Sequence, residues 1–256
     1  MNHTQTNPPK PVIEAIDLSK RYGDGSLALD ALNLAVRPGE IYCLLGARDA
    51  GKTSALHLFL GLTSPTAGRA RVGGVDVAAD PREARRRLAY VMENVAFYDT
   101  LTAMENLEFF AQLGGRWRVD AGELAMAMRS VGLPERAFRL RVRHFTDGMR
   151  QKLGFAAALV KEAPAWLLDD PLAGLDPQAT AELVDLLREV RQSGKAILLA
   201  TQDLFQAREL ADVVGILKEG RMVLTTTRAD LRYTDLEATY LDYMRGGFSS
   251  LVEAMA

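Results

Sequence analysis

Residues Gly46-Ala47-Arg48-Asp49-Ala50-Gly51-Lys52-Thr53 follow the pattern G-x-x-x-x-G-K-[ST], and no other feature restricts the fold as tightly. The motif lies between the apolar run Ile41-Tyr42-Cys43-Leu44-Leu45 and Ser54-Ala55-Leu56-His57-Leu58-Phe59-Leu60, which reads as a helix. A strand–loop–helix context separates a working phosphate-binding loop from a chance Gly-rich turn. Backbone N–H groups from Gly46 to Gly51 and at the helix start through Ser54 converge on one point, where they attract phosphate oxygens. Lys52 adds a cation for the terminal phosphates, and the Thr53 hydroxyl is a ligand type suited to Mg²⁺.

A chain of 256 residues, 48% hydrophobic and 25% charged, suits one large α/β domain with or without an inserted subdomain. The net charge of -2 argues against non-specific nucleic-acid binding, which requires a basic surface. The single cysteine, Cys43, excludes an internal disulfide and reads as a small core residue of a reducing compartment. No apolar run reaches the roughly 18–20 residues that a membrane-spanning helix needs. Residues 1–11 are polar and Pro-rich, expected to form a disordered arm without a signal region. The expectation is a cytoplasmic protein that, if it works at a membrane, takes its span from another chain.

Short alternating segments from Val12 to Val36 predict a small antiparallel sheet, closed by the turn Pro38-Gly39. Residues 63–74 read as a Pro/Gly-rich connection, Val75 to Arg87 as containing a basic helix, and Leu88 to Met92 as a core strand. The run Arg82, Arg85, Arg86 and Arg87 reads as a solvated helix face. Residues 95–160 change character. Thr102-x-x-Glu105 and Asp120-x-x-Glu123 are capping boxes, the second opening a helix stopped by Gly132 and Pro134. This stretch is expected to be a helical insertion. Trp166-Leu167-Leu168 returns to strand and ends in Asp169-Asp170. Strand alternation sends these two acids to opposite sides, Asp169 toward Mg²⁺ opposite Thr53 and Asp170 toward an attacking water. Leu183, Leu187 and Val190 mark a long helix, and Ala196 to Ala200 and Val213 to Leu217 are further strands. Strands alternating with helices predict a mainly parallel sheet.

The order of these motifs resembles the nucleotide-binding subunit of an ABC transporter of exporter type, over about residues 12–225. Phe145-Thr146-Asp147-Gly148-Met149-Arg150-Gln151-Lys152-Leu153 is similar to the family signature, usually L-S-G-G-Q-R-Q-R-L. Leu167 to Pro177 resembles the Walker B segment and the loop after it, which contains Asp176. Tyr22 stands where the family places an aromatic against adenine, although a plain surface tyrosine is the simpler reading of that residue alone. Glu93 falls at the Q-loop and Gln202 at the switch-histidine loop. Residues 226–256 are expected to form a helical tail, in which Tyr240, Tyr243 and Met244 pack on the body.

The resemblance implies a P-loop ATPase core with a small antiparallel subdomain and a helical subdomain over about 95–160. It implies ATP and Mg²⁺ as ligands and a membrane-spanning permease as partner. A homodimer or heterodimer with a second ABC ATPase would hold each ATP between one loop and the other subunit's signature helix. Thr146, Gly148 and Asp176 would then serve the partner's nucleotide, and the helical insertion would pass motion to the permease. Peripheral attachment to the inner membrane face follows. Phe97 and Tyr98 are candidates for the permease groove or for the core of the insertion.

Asp147 is the odd member of the signature segment, and four further positions depart from the family pattern. Asp170 replaces a glutamate, which shortens the carboxylate's reach by about 1.5 Å. Gln202 replaces a histidine; it can donate a hydrogen bond to phosphate but cannot become a cation. Glu93 replaces a glutamine and can still reach Mg²⁺ or its water. Asp49 replaces a glycine, at a place where an Asp can tolerate a left-handed backbone. The expected outcome is Mg-ATP binding with slow hydrolysis. A second reading is a hydrolysis-deficient regulatory or structural subunit paired with an active ATPase. A third, a soluble ABC protein of DNA repair or translation, is disfavoured by the single cassette and by the charge.

Overall fold

The structure is a computed structural model that describes residues 9–231 and 236–245. Of the expected N-terminal arm, residues 1–8 lie outside the described residues, as do 232–235 and 246–256 of the expected tail. The strands are β1 (Ile13–Arg21), β2 (Leu27–Val36), β3 (Ile41–Leu45), β4 (Ala67–Val72), β5 (Val75–Asp76), β6 (Leu88–Val91), β7 (Ala165–Asp169), β8 (Ala196–Thr201), β9 (Val213–Lys218) and β10 (Arg221–Thr227). The helices are α1 (Lys52–Phe59), α2 (Pro81–Arg86), α3 (Ala103–Leu113), α4 (Ala121–Ser130), α5 (Asp147–Lys161), α6 (Pro177–Gln192), α7 (Leu204–Leu210), α8 (Arg228–Leu231) and α9 (Leu236–Arg245).

Two sheets result. One is antiparallel in the order β2-β1-β4-β5. The other runs β10-β9-β3-β8-β7-β6, parallel except for β10 at its edge. All five residues of β3 are buried, as a strand covered on both faces requires. Their alternation feeds two cores. Ile41, Cys43 and Leu45 join the helical insertion, α6 and α7, whereas Tyr42 and Leu44 join α1 and the antiparallel sheet. The C-terminal ends of β3, β7 and β8 consequently lie side by side, with Leu45 opposite Thr201 and Asp169 opposite Ala200. Loops leaving those ends share one crevice, the usual place for ligands in an open parallel sheet.

The expected connection over 63–74 instead contains β4, paired antiparallel with β1. Gly68 has φ +71°, and a Cβ there would sit 2.1 Å from the Asp17 carbonyl oxygen. The glycine thus serves a bulge where two strands approach closely, a local signal easily mistaken for loop composition. The Thr102–Glu105 capping box forms fully: Thr102 N–H donates to Glu105 Oε2 at 2.7 Å, and Glu105 N–H donates to Thr102 Oγ1 at 3.2 Å. The second box does not close. Asp120 caps α4 by accepting from Gly122 N–H at 2.8 Å, and Glu123 accepts from Arg116 instead. An ion pair offered by a nearby loop outcompetes the reciprocal cap.

The basic run is only partly a solvated face. Arg85 donates to the Leu60 carbonyl at 3.2 Å and Arg87 to the Gly73 carbonyl at 2.6 Å, so both brace turns. Phe97 packs edge-on against Phe110 at 5.4 Å in the insertion's core, while Tyr98 is half exposed. β10 continues to Thr227, across the 225/226 boundary expected from sequence. Tyr240, Tyr243 and Met244 of α9 pack on the main core, and Lys218 donates to the Tyr243 carbonyl at 2.8 Å. Among the described residues, no helix is long and apolar enough to cross a membrane.

Candidate functional site

β3 delivers the chain into the loop 46–51, which is held on three sides. Gly46 N–H donates to the Thr201 carbonyl at 3.2 Å, and Gly220 N–H donates to the Ala50 carbonyl at 2.9 Å. Gly51 has φ +106°, and a Cβ there would meet the Ala28 carbonyl oxygen at 2.3 Å. Asp49 adopts φ 65°, the left-handed backbone that an Asp tolerates. α1 begins after Gly51 with no side-chain cap and no acid in its first turn. Its positive end is therefore left for an external anion.

Lys52 is only 7% exposed, and its ammonium donates to the carbonyls of Gly46 and Ala47 at 2.8 and 2.9 Å. Burial pushes this ammonium below the usual lysine range, and the charges of Asp170 and Asp169 oppose that push. Asp169, at the end of β7, is raised above the usual carboxyl range by burial and then by the Asp170 charge; Lys52 and His57 pull it back. Tyr90 of β6 shares this neighbourhood. Its phenol is pushed up to about 12, first by burial and then by the Asp169 charge.

Asp169 and Asp170 both line the cleft. Asp170 lies just past the strand end with φ 41°, so strand alternation no longer applies to it. Its N–H donates to the Ala200 carbonyl at 2.8 Å, and its Oδ1 accepts from the Gln202 N–H at 3.3 Å. The departures at 170 and 202 thus touch one another, the Asp170 side chain against the Gln202 backbone.

The cleft holds about 470 Å³ and brings together Tyr22, Arg48, Asp49, Gly51, Lys52, Thr53, Ser54, Glu93, Asp169, Asp170 and Gln202. Segments more than a hundred residues apart meet there. Tyr22 is positioned by its hydroxyl, 3.1 Å from Ser54 Oγ, and by the Lys20 ammonium 5.1 Å from its ring centre. Gly46, Ala47 and Ala50 do not line the cleft; they act in the loop's own framework through their carbonyls. Thr146, Gly148 and Asp176 lie apart from it. Thr146 caps α5 by accepting from Met149 N–H at 3.2 Å, and Asp176 caps α6 by accepting from Ala179 N–H at 2.9 Å. A Cβ on Gly148 would make only ordinary contacts within this chain, at 3.8 Å or more.

Sequence reasoning missed Ser26, Leu27 and Ala28, which form one wall of the cleft. The wall carries no motif: Ser26 and the first two residues of β2 match no phosphate- or metal-binding pattern.

The residues fit a nucleotide with its magnesium ion. An uncapped helix start and a buried ammonium suit a polyphosphate. Thr53, Asp169 and Glu93 offer hard oxygen ligands on the other side. Among the described residues, no group of three or more His, Cys, Asp or Glu side chains is placed to hold a metal.

Fold and cleft together define a P-loop nucleotide-binding cassette. The family described as ABC transporter matches residues 29–173. The bacitracin transport ATP-binding protein BcrA of Enterococcus faecalis is 32% identical over 94% of this chain and 77% of its own length. The daunorubicin resistance ATP-binding protein DrrA2 of Streptomyces coeruleorubidus is 35% identical over 86% of this chain and 68% of its own. Among solved structures, an ATP-binding subunit of an ABC transporter superposes with a TM-score of 0.81 at 30% identity, covering 90% of this chain and 98% of that one. A dimeric ATP-binding cassette bound to ADP and Pi shares the fold, with a TM-score of 0.78 at 23% identity over 84% of this chain and 98% of that one. The chain belongs to the ABC transporter family.

Proposed function

We propose that this chain is the ATP-binding subunit of an ABC exporter, coupling ATP binding and slow hydrolysis to transport through a separate membrane-spanning permease. The observation that carries the reading is convergence. Lys52 and the uncapped start of α1 share one cleft with Asp169, Asp170, Glu93 and Gln202. Family membership and relatives named as ATP-binding transport proteins support it.

In this reading Tyr22 stacks on adenine. The loop's N–H groups and Lys52 hold the phosphates, while Thr53 and Asp169, with Glu93, hold Mg²⁺. The bound ion neutralises phosphate charge. Asp170 orients or deprotonates the attacking water, and Gln202 donates to the γ-phosphate. Thr146, Gly148 and Asp176 serve the nucleotide of a second cassette, either an identical copy or a sibling. None of the three lines this chain's own cleft, in keeping with such a head-to-tail pair. The shortened Asp170 and the uncharged Gln202 make the chemistry slow. The working place is the cytoplasmic face of the membrane, beside the permease.

Titration of the folded chain with a fluorescent ATP analogue and Mg²⁺ tests the reading. Saturable binding is expected, weakened at least about 10-fold in Lys52→Ala, since a hydrogen bond from a charged donor contributes about 1.5–3 kcal/mol. No saturable binding by the folded wild-type chain refutes it.

A further inference from the structure

We propose that Gln151, on the signature helix α5, is a positioning residue that fixes the loops carrying Glu93 and Asp170 relative to that helix. The proposal rests on the reading of those two acids as nucleotide-facing groups. Gln151 lies on the second turn of α5 and is only 4% exposed. Its amide nitrogen donates to the Met92 carbonyl at 3.2 Å and to the Pro171 carbonyl at 2.8 Å. A side-chain amide has two N–H groups, and these two bonds use both.

The acceptors explain the choice. β6 and β7 pair in parallel, and their last register pair is Val91 with Leu168. Beyond that point the ladder stops, and the two segments run on without pairing in register to Glu93 and Asp170. Met92 immediately precedes Glu93, and Pro171 immediately follows Asp170. Gln151 therefore takes over where the backbone ladder ends, joining the two loops through one side-chain amide nitrogen. α5 is tied to the first loop at two further points. A Cβ on Gly154 would meet Val95 Cγ2 at 2.8 Å, and Arg150 pairs with Asp99 at 2.7 Å. Displacement of α5 is thus transmitted to both acids together, through contiguous contacts of a kind that can carry coupling. The N-terminal end of the same helix carries Thr146 and Gly148, the groups assigned above to the other subunit's nucleotide.

Gln151→Met keeps length and volume but removes both donors. The full chain and the variant are compared by fluorescent ATP-analogue affinity, by phosphate release at saturating Mg-ATP and by thermal melting. The expected result is affinity within about twofold of wild type and turnover lowered about 10- to 100-fold, because displacement of a reacting group by about 1 Å costs about that much. Turnover equal to wild type overturns the proposal. So does a joint loss of affinity, turnover and melting temperature, which marks a merely structural role. If the variant does not fold, or wild-type turnover is too slow to compare, hydrogen exchange on the wild-type chain decides. Protection of residues 92–95, 147–151 and 170–173 rising together on addition of Mg-ATP upholds the clamp, and independent changes overturn it. Absence of ATP binding by the folded wild-type chain is distinct from all of these, since it removes the parent reading and the clamp with it.

Discussion

Restoring the family residues at positions 170 and 202 should raise turnover. The Asp170 carboxylate is held toward the switch loop, with Oδ1 accepting from the Gln202 N–H at 3.3 Å. A glutamate reaches about 1.5 Å farther. Placement errors near 1 Å cost about 100-fold, equivalent to about 2.7 kcal/mol of barrier. Against this stands the loss of one long hydrogen bond, about 0.5–1.5 kcal/mol of stability. Gln202→His adds a side chain able to donate as a cation. The double variant Asp170→Glu with Gln202→His is expected to release phosphate about 10- to 100-fold faster than wild type at saturating Mg-ATP. The residues share a backbone contact, so the single variants should not add independently. Phosphate release by all four proteins, with analogue affinity measured in parallel, is the assay. A double variant that binds the analogue normally and turns over no faster refutes the claim that these positions limit the chemistry.

Two further outcomes follow from the same geometry. Gly51→Ala forces a Cβ into the Ala28 carbonyl at 2.3 Å on a backbone with φ +106°, so it should lose about 1–3 kcal/mol of folding stability, read as a lower urea midpoint; an unchanged midpoint counts against the close packing of this loop. Asp169→Asn should melt higher than wild type at neutral pH in chelator, while losing Mg²⁺-dependent turnover. The sign follows from the raised carboxyl of Asp169: its stabilising protonated form is present below the ordinary pH of about 4, and that contribution is lost as pH rises through the raised folded value. The variant's advantage should therefore shrink on acidification, and an advantage equal at pH 4 and pH 7 would contradict this account.

Much of the molecule was legible in the order of residues because its signals are local. The phosphate loop, the Thr102 cap and the buried runs Ile41–Leu45 and Ala196–Ala200 each depend on neighbours within a few positions. The left-handed Asp49 could be expected from residue type alone. Three things depended on contacts across the fold. β4 was hidden because its Gly68 answers to Asp17, some fifty residues away. Asp170 lies just past the end of β7 on a left-handed backbone, a geometry that no alternation rule foresees. Ser26 to Ala28 became a wall of the site only when the antiparallel sheet folded over the loop. By itself the sequence determined which chemical groups are available and which short segments become strand or helix, since torsional preference and hydrophobic period act over a few residues. Tertiary structure alone decided which of those groups share a cleft and which loops Gln151 holds together, since distances between remote segments are set by packing.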